Sequence, residues 1–127
     1  MKAIILAAGE GTRLRPFTLD RPKCMVELDG VSLIERQLNI LKAMNVSPVI
    51  IVGGYRADML PRTGICLKIN PHYAETNMVE TLFCAESELN EELIVSYGDI
   101  VYSRGILDSL LQSDADISVT IDLDWEE

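Results

Sequence analysis

Leu6-Ala7-Ala8-Gly9-Glu10-Gly11-Thr12-Arg13-Leu14-Arg15-Pro16, and then Arg21-Pro22-Lys23, join an apolar run to a glycine loop and deliver cations at two fixed distances beyond it. Lys2 to Ala7 is continuously apolar after its first residue and reads as a buried strand. Gly9 and Gly11 let the backbone turn through positive φ and come close to a ligand. Loops of this kind aim several N–H groups at one point, an arrangement suited to phosphate oxygens. Arg13 adds a planar donor fork that matches phosphate geometry, and Lys23 adds a mobile point charge on a Pro-led segment. The pattern fits a nucleoside triphosphate gripped while a second anion approaches.

Two other glycine-loop chemistries fail on the residues. A Walker loop ends in Gly-Lys-Ser/Thr, and that tripeptide is absent from the chain. A dinucleotide-binding turn needs a small residue where Leu14 stands and an acid at the end of the next strand, which instead closes Val52-Gly53-Gly54. An NAD(P)-dependent oxidoreductase is therefore the weaker alternative.

Charge supports a small polyanion over nucleic acid or membrane as partner. The 127 residues carry a net charge of −9 and 48% hydrophobic content, enough for one globular domain with a real core. The first 23 residues hold five basic side chains against two acidic ones, whereas the remainder holds six against eighteen. Positive charge is thus expected at the loop. Cys24, Cys66 and Cys84 are odd in number with no paired metal spacing, consistent with reduced thiols and a cytoplasmic setting. The opening apolar run is too short for a signal-peptide core, and nothing approaches a membrane-spanning length.

Along the chain, Ser32 with Glu35 three residues on marks a capped helix start, with Ile34, Leu38 and Leu41 on its apolar face. Strands are expected at Pro48–Val52, Ile65–Ile69, Leu93–Tyr97 and Ile117–Leu123, the last alternating apolar and polar residues. Helices are expected at Tyr55–Leu60, at Met78–Glu88 with Val79, Leu82, Phe83 and Leu89 inward, and around Ile106–Leu111. The alternation predicts an α/β fold, a Rossmann-like three-layer sandwich with a mostly parallel sheet and helices on both faces. Gly9–Arg13, Gly53-Gly54 and Asp99 all follow strands, which places the ligand at the carboxyl edge beside the first strand.

Gly-x-Gly-Thr-Arg-Leu-x-Pro followed by Pro-Lys resembles the signature of the sugar-phosphate nucleotidylyltransferases. Asn70-Pro71-His72-Tyr73-Ala74-Glu75-Thr76-Asn77-Met78, with Tyr97-Gly98-Asp99, is similar to the branch that includes phosphocholine cytidylyltransferases. The resemblance covers nearly the whole chain, residues 1–127 forming the nucleotide-binding part of a nucleotidyltransferase-type domain. Those enzymes are close to twice as long, so it likens this chain to their N-terminal half, truncated before a second metal-binding aspartate. It implies transfer of NMP from an NTP, CTP favoured, to phosphocholine or a sugar 1-phosphate, with release of pyrophosphate. A bare nucleotide binder that lacks the acceptor half is the alternative in another class.

By this resemblance Arg13 holds the β- and γ-phosphates and Lys23 neutralises the α-phosphate or the acceptor. Nucleotide or acceptor contacts fall to Leu6, Ala8, Gly9, Gly11, Thr12 and Asn77, although Asn77 with Glu80 also forms a helix-capping pattern. Asp99 is the candidate Mg2+ ligand, since magnesium takes one or two carboxylates and keeps phosphate and water. Arg15 reads equally as a salt-bridge partner of an acidic neighbour, and His72 as a surface residue. Tyr55, Tyr73 and Trp125 are aromatics able to stack on a base or surround a quaternary ammonium. A homo-oligomer stays open.

Overall fold

The computed structural model describes residues 1–126. β1 (Lys2–Ala7) is wholly buried, with Ile4 and Ile5 at 0% exposure, as its unbroken apolar run requires. It lies between β4 (Val49–Gly53) and β6 (Leu93–Tyr97), and β5 (Ile65–Ile69) pairs with the far side of β4. The order is β5-β4-β1-β6, and all three pairings are parallel. Register sets Ala7 against Gly53 and Leu6 against Tyr97, so every strand ends at the same edge. The chain moves outward from β1 to β4 and β5 and then returns to the other flank of β1 as β6. That reversal opens a crevice at the carboxyl ends of β1 and β6.

Helices cover both faces, as the alternation predicts. α1 (Leu33–Ala43) and α3 (Arg104–Leu111) bring Ile34, Leu41 and Leu107 onto Ala3, Ile5 and Ile51, while α2 (Met78–Phe83) brings Leu82 onto Ile4, Leu6 and Val52. Ser32 caps α1 by accepting from the Glu35 N–H, and Ser103 caps α3 through the Ile106 N–H. Among the described residues no helix is long and apolar enough to cross a membrane.

Four expectations need correction. The helix expected over Met78–Glu88 ends at Phe83, and a single 3-10 turn follows at Glu86–Glu88. Lys2 Nζ donates to Asn90 Oδ1 at 2.8 Å and to Glu88 Oε2 at 3.0 Å, drawing this turn onto the start of β1. The inward face is Thr81, Leu82 and Ala85, whereas Val79 and Phe83 are more than half exposed. The Tyr55–Leu60 segment forms only a 3-10 turn, Ala57–Met59. The strand expected at Ile117–Leu123 does not form: Ile117, Val119, Ile121 and Leu123 are 71–85% exposed. A period-two pattern supplies one apolar face, but a strand also needs a hydrogen-bonding neighbour, and no described strand pairs with this segment.

A hairpin of β2 (Glu27–Leu28) and β3 (Val31–Ser32) adds to the expected elements. Its two-residue turn is Asp29-Gly30, at φ 52° and 77°, the left-handed pair that favours this dipeptide.

Candidate functional site

A cleft of about 290 Å3 opens at the carboxyl ends of β1 and β6, lined by Leu6, Gly9, Gly11, Thr12, Arg13, Lys23, Cys24, Met78, Gly98 and Asp99 among others. The floor is Leu6 and Ala7 at the end of β1. One wall is the glycine loop. Gly11 takes φ 63°, and a Cβ there would lie 2.9 Å from Thr18 Cγ2 and 3.0 Å from Lys23 Cβ, so glycine is required twice over. Thr12–Leu14 then makes one 3-10 turn that presents Arg13 to solvent at the mouth.

The loop is held from behind. Buried Thr18 donates its hydroxyl to the Gly11 carbonyl at 2.7 Å. The Tyr55 hydroxyl donates to the Thr18 carbonyl at 2.7 Å, and the Tyr55 N–H to the Ala8 carbonyl at 3.2 Å. Both limbs of the loop are therefore tied to the segment that follows β4. Tyr55 also meets Tyr73 edge to face, ring centres 6.2 Å apart, so these aromatics pack on one another. Trp125 lies 75% exposed and outside the cleft lining.

The opposite wall is Gly98-Asp99, just beyond β6. The Gly98 N–H donates to the Leu6 carbonyl at 2.8 Å, and a Cβ on Gly98 would meet Cys24 and Ala7 at 3.0 and 3.1 Å. Glycine here lets the β6 loop close on β1, which places Asp99 over the glycine loop. Lys23 Nζ donates to Asp99 Oδ2 at 2.6 Å. The two walls of the cleft are joined by that ion pair.

Of the five early cations, only Arg13 and Lys23 face the cleft. Lys2 is at the opposite end of β1 with Glu88 and Glu91, Arg15 pairs with Glu10 at 3.6 Å, and Arg21 pairs with Asp20 at 3.1 Å. Arg13 has no acidic partner among the described residues. The concentration of charge expected from the sequence thus reduces to one free guanidinium and one ammonium shared with a carboxylate.

Leu6, Gly9, Gly11, Thr12, Arg13, Lys23 and Asp99 are brought together, while Ala8 is buried beneath the loop and Asn77 stands outside the lining. Asn77 Oδ1 caps α2 by accepting from the Val79 and Glu80 N–H groups at 3.0 and 3.3 Å; the neighbouring Met78 reaches the cleft. Asn70, 3% exposed, donates to Thr76 Oγ1 and Thr81 Oγ1 and accepts from the His72 N–H, so it organises the whole Asn70–Asn77 stretch. His72 is exposed.

Cys24 lines the cleft with a thiol pushed up to about 12 by burial, with Asp99 adding to the effect. At 3% exposure it packs beneath Gly98, in surroundings that favour the thiol over the thiolate.

Sequence reasoning overlooked Gln37. It sits 1% exposed on the inner side of α1 between Ile34 and Leu41, with its amide turned toward the β6 loop. A polar residue in register with the apolar stripe was the available signal.

Residues 3–124 match the family model of the MobA-like NTP transferase domain. The chain belongs to this family. Among its relatives, the CTP:phosphoglutamine cytidylyltransferase of Campylobacter jejuni is 38% identical over 98% of this chain and 54% of its own length. The choline-phosphate cytidylyltransferase of Streptococcus pneumoniae is 34% identical over 89% of this chain and 51% of its own. A solved structure of CTP:phosphocholine cytidylyltransferase from Streptococcus pneumoniae aligns with a TM-score of 0.73 at 38% identity, covering 77% of this chain and 44% of that one. The chain spans about half the length of the curated relatives it matches. The resemblance read from the glycine loop holds at the level of family and fold, and the NTP transferase fold sets the glycine loop and Asp99 on facing walls of one crevice.

Proposed function

We propose that this chain forms the nucleotide site of a nucleotidyltransferase that moves NMP, CMP foremost, from an NTP to a small phosphorylated acceptor such as phosphocholine. The observation that carries the reading is the opposition of Arg13 and Lys23 to Asp99 across a glycine-walled cleft. An acceptor phosphate oxygen bonds to the α-phosphorus while the bond from that phosphorus to the bridging oxygen breaks, and pyrophosphate leaves with the electron pair. The acceptor is already ionised at neutral pH, so no protein base is needed. Positioning and charge neutralisation do the work.

Gly9–Thr12 hold the phosphate chain by backbone contacts. Arg13 takes the β- and γ-oxygens and stabilises the leaving pyrophosphate. Lys23 exchanges Asp99 for a phosphate oxygen as the nucleotide enters, and so sits against the reacting phosphorus. That exchange frees the Asp99 carboxylate. Asp99 puts a carboxylate in the cleft lining, and magnesium, which takes one or two carboxylates and otherwise phosphate and water, would be held there by Asp99 together with the nucleotide. When bound, Mg2+ would neutralise phosphate charge at Asp99. Asp122 and Asp124 lie outside the cleft lining, on the exposed C-terminal arm.

CTP is favoured over other nucleotides by the relatives' own names. Nucleotide binding without turnover is a second reading, favoured by the open acceptor side: Met78, Val79, Phe83, Val95 and Tyr97 are 41–58% exposed, with no described element over them. Pyrophosphate release with CTP and phosphocholine, beside CTP with glucose 1-phosphate and UTP with either acceptor, separates the readings when run alongside thermal shift. Turnover supports transfer; nucleotide-dependent stabilisation alone supports the binder. The absence of turnover and of stabilisation with every nucleotide tested would falsify both.

A further inference from the structure

Gln37 makes three hydrogen bonds, all to the β6 strand and the loop beyond it. Its Nε2 donates to the Tyr97 carbonyl at 2.8 Å and to the Ile100 carbonyl at 3.0 Å, and its Oε1 accepts from Ser96 Oγ at 2.9 Å. Two carbonyls and one hydroxyl fix the amide orientation, because the flipped amide would face oxygen with oxygen at both carbonyls. Tyr97 and Ile100 are the residues on either side of Gly98-Asp99. The side chain is buried in an otherwise apolar helix face, where a polar group is costly unless satisfied, and here each of its hydrogen-bonding groups is used.

We infer that Gln37 is a positioning residue for Asp99: it brackets the two-residue loop from within the core and fixes the carboxylate opposite the glycine loop. The assignment rests on the proposed role of Asp99 in binding metal and nucleotide. A bare Gly-Asp loop has a glycine's freedom at its centre. The paired carbonyl bonds remove that freedom on the side away from the cleft, while Lys23 and the Gly98–Leu6 bond restrain it on the cleft side. Through this bracket α1, which supplies no lining residue, contributes to the geometry of the site.

The test compares binding of Mn2+–CTP, read by water-proton relaxation, with binding of CTP in EDTA. Gln37→Met keeps the volume and loses the polar atoms; Gln37→Glu keeps an acceptor for Ser96 and cannot make both donations, since even a protonated carboxyl carries one hydrogen. Each should weaken Mn2+–CTP binding by about tenfold or more, the size usual when the partner that orients a metal ligand is removed. Each should change metal-free CTP binding by less than about twofold, because the glycine loop is untouched. Ile34→Val, on the same buried face of α1 and with no bond to the β6 loop, is the control for mere core damage, expected to lower Tm yet retain Mn2+–CTP affinity. Unchanged Mn2+–CTP affinity in folded Gln37 variants, where Asp99→Asn has lost it, overturns the inference and leaves the proposed function standing. Equal losses in EDTA, or failure of both variants to fold, also overturn it. No Mn2+-dependent binding by the wild-type chain brings down both.

Discussion

β1 and the Ile117–Leu123 segment both carry an apolar pattern, yet one is wholly buried and the other is among the most exposed parts of the molecule. Ile4 and Ile5 have 0% exposure, whereas Ile117 and Leu123 have 85% and 83%. Pairing and cover separate the two. β1 has a parallel neighbour on each side and helices on both faces, so its backbone groups and side chains are all satisfied. Among the described residues no strand pairs with the later segment, and its apolar side chains stay exposed. Hydrophobic patterning states what a strand requires, and pairing decides whether it receives it.

Core truncation sharpens this contrast most. Ile5→Ala should cost about 2–5 kcal/mol in urea unfolding, as the loss of buried methyls from a close-packed site does. Ile121→Ala should stay within about 0.5 kcal/mol, as surface changes do. Similar costs at the two positions would show that the arm is packed and break the comparison.

Within the cleft, the free cation should outweigh the shared one. Arg13→Ala is expected to reduce turnover by about two orders of magnitude, or CTP affinity by about tenfold if the chain only binds. Lys23→Met should cost less affinity in the absence of divalent metal, because the wild-type lysine must first give up Asp99. A larger metal-free loss for Lys23→Met than for Arg13→Ala would reverse the assignment of the two.

Gly11→Ala should lower stability by about 1–2 kcal/mol, from a strained positive φ and a methyl forced against Thr18 and Lys23. Gly9→Ala, which meets nothing within 4 Å, should fold normally.

The smallest effect concerns Cys24. Burial raises its folded pKa from 9.0 to about 12, above the unfolded value, so its contribution to stability is intact below about pH 9 and lost as pH rises towards 12. At pH 8 iodoacetamide should label exposed Cys66 well before Cys24. Equal labelling would show that the cleft floor opens readily.

The parts of the fold legible in the sequence were those fixed by local pattern. β1, β4, β5 and β6 fall within a residue of where continuous apolar runs place them, and the Ser32 cap starts α1 as read. The glycine loop was legible because Gly11, Thr12, Arg13 and Lys23 stand in register within a short span. What was not legible depended on distant partners. The turn that follows α2 is held by Lys2 through Glu88 and Asn90, partners far away in sequence. The net charge of three that counting the first 23 residues suggested shrinks at the cleft because Lys2 stands at the far end of β1 and Lys23 shares Asp99, whose position comes from 76 residues away. Gln37 was hidden for the same reason, since its partners lie some 60 residues away. The Asp29-Gly30 turn, by contrast, is a local signal, a dipeptide suited to positive φ between two short strands.

Crystals grown with CTP and magnesium test the central claim most directly. The account predicts triphosphate density against the backbone of Gly9–Thr12, the Arg13 guanidinium on the terminal phosphates, and Lys23 parted from Asp99. Nucleotide seated elsewhere, with the Lys23–Asp99 pair still closed, would contradict it.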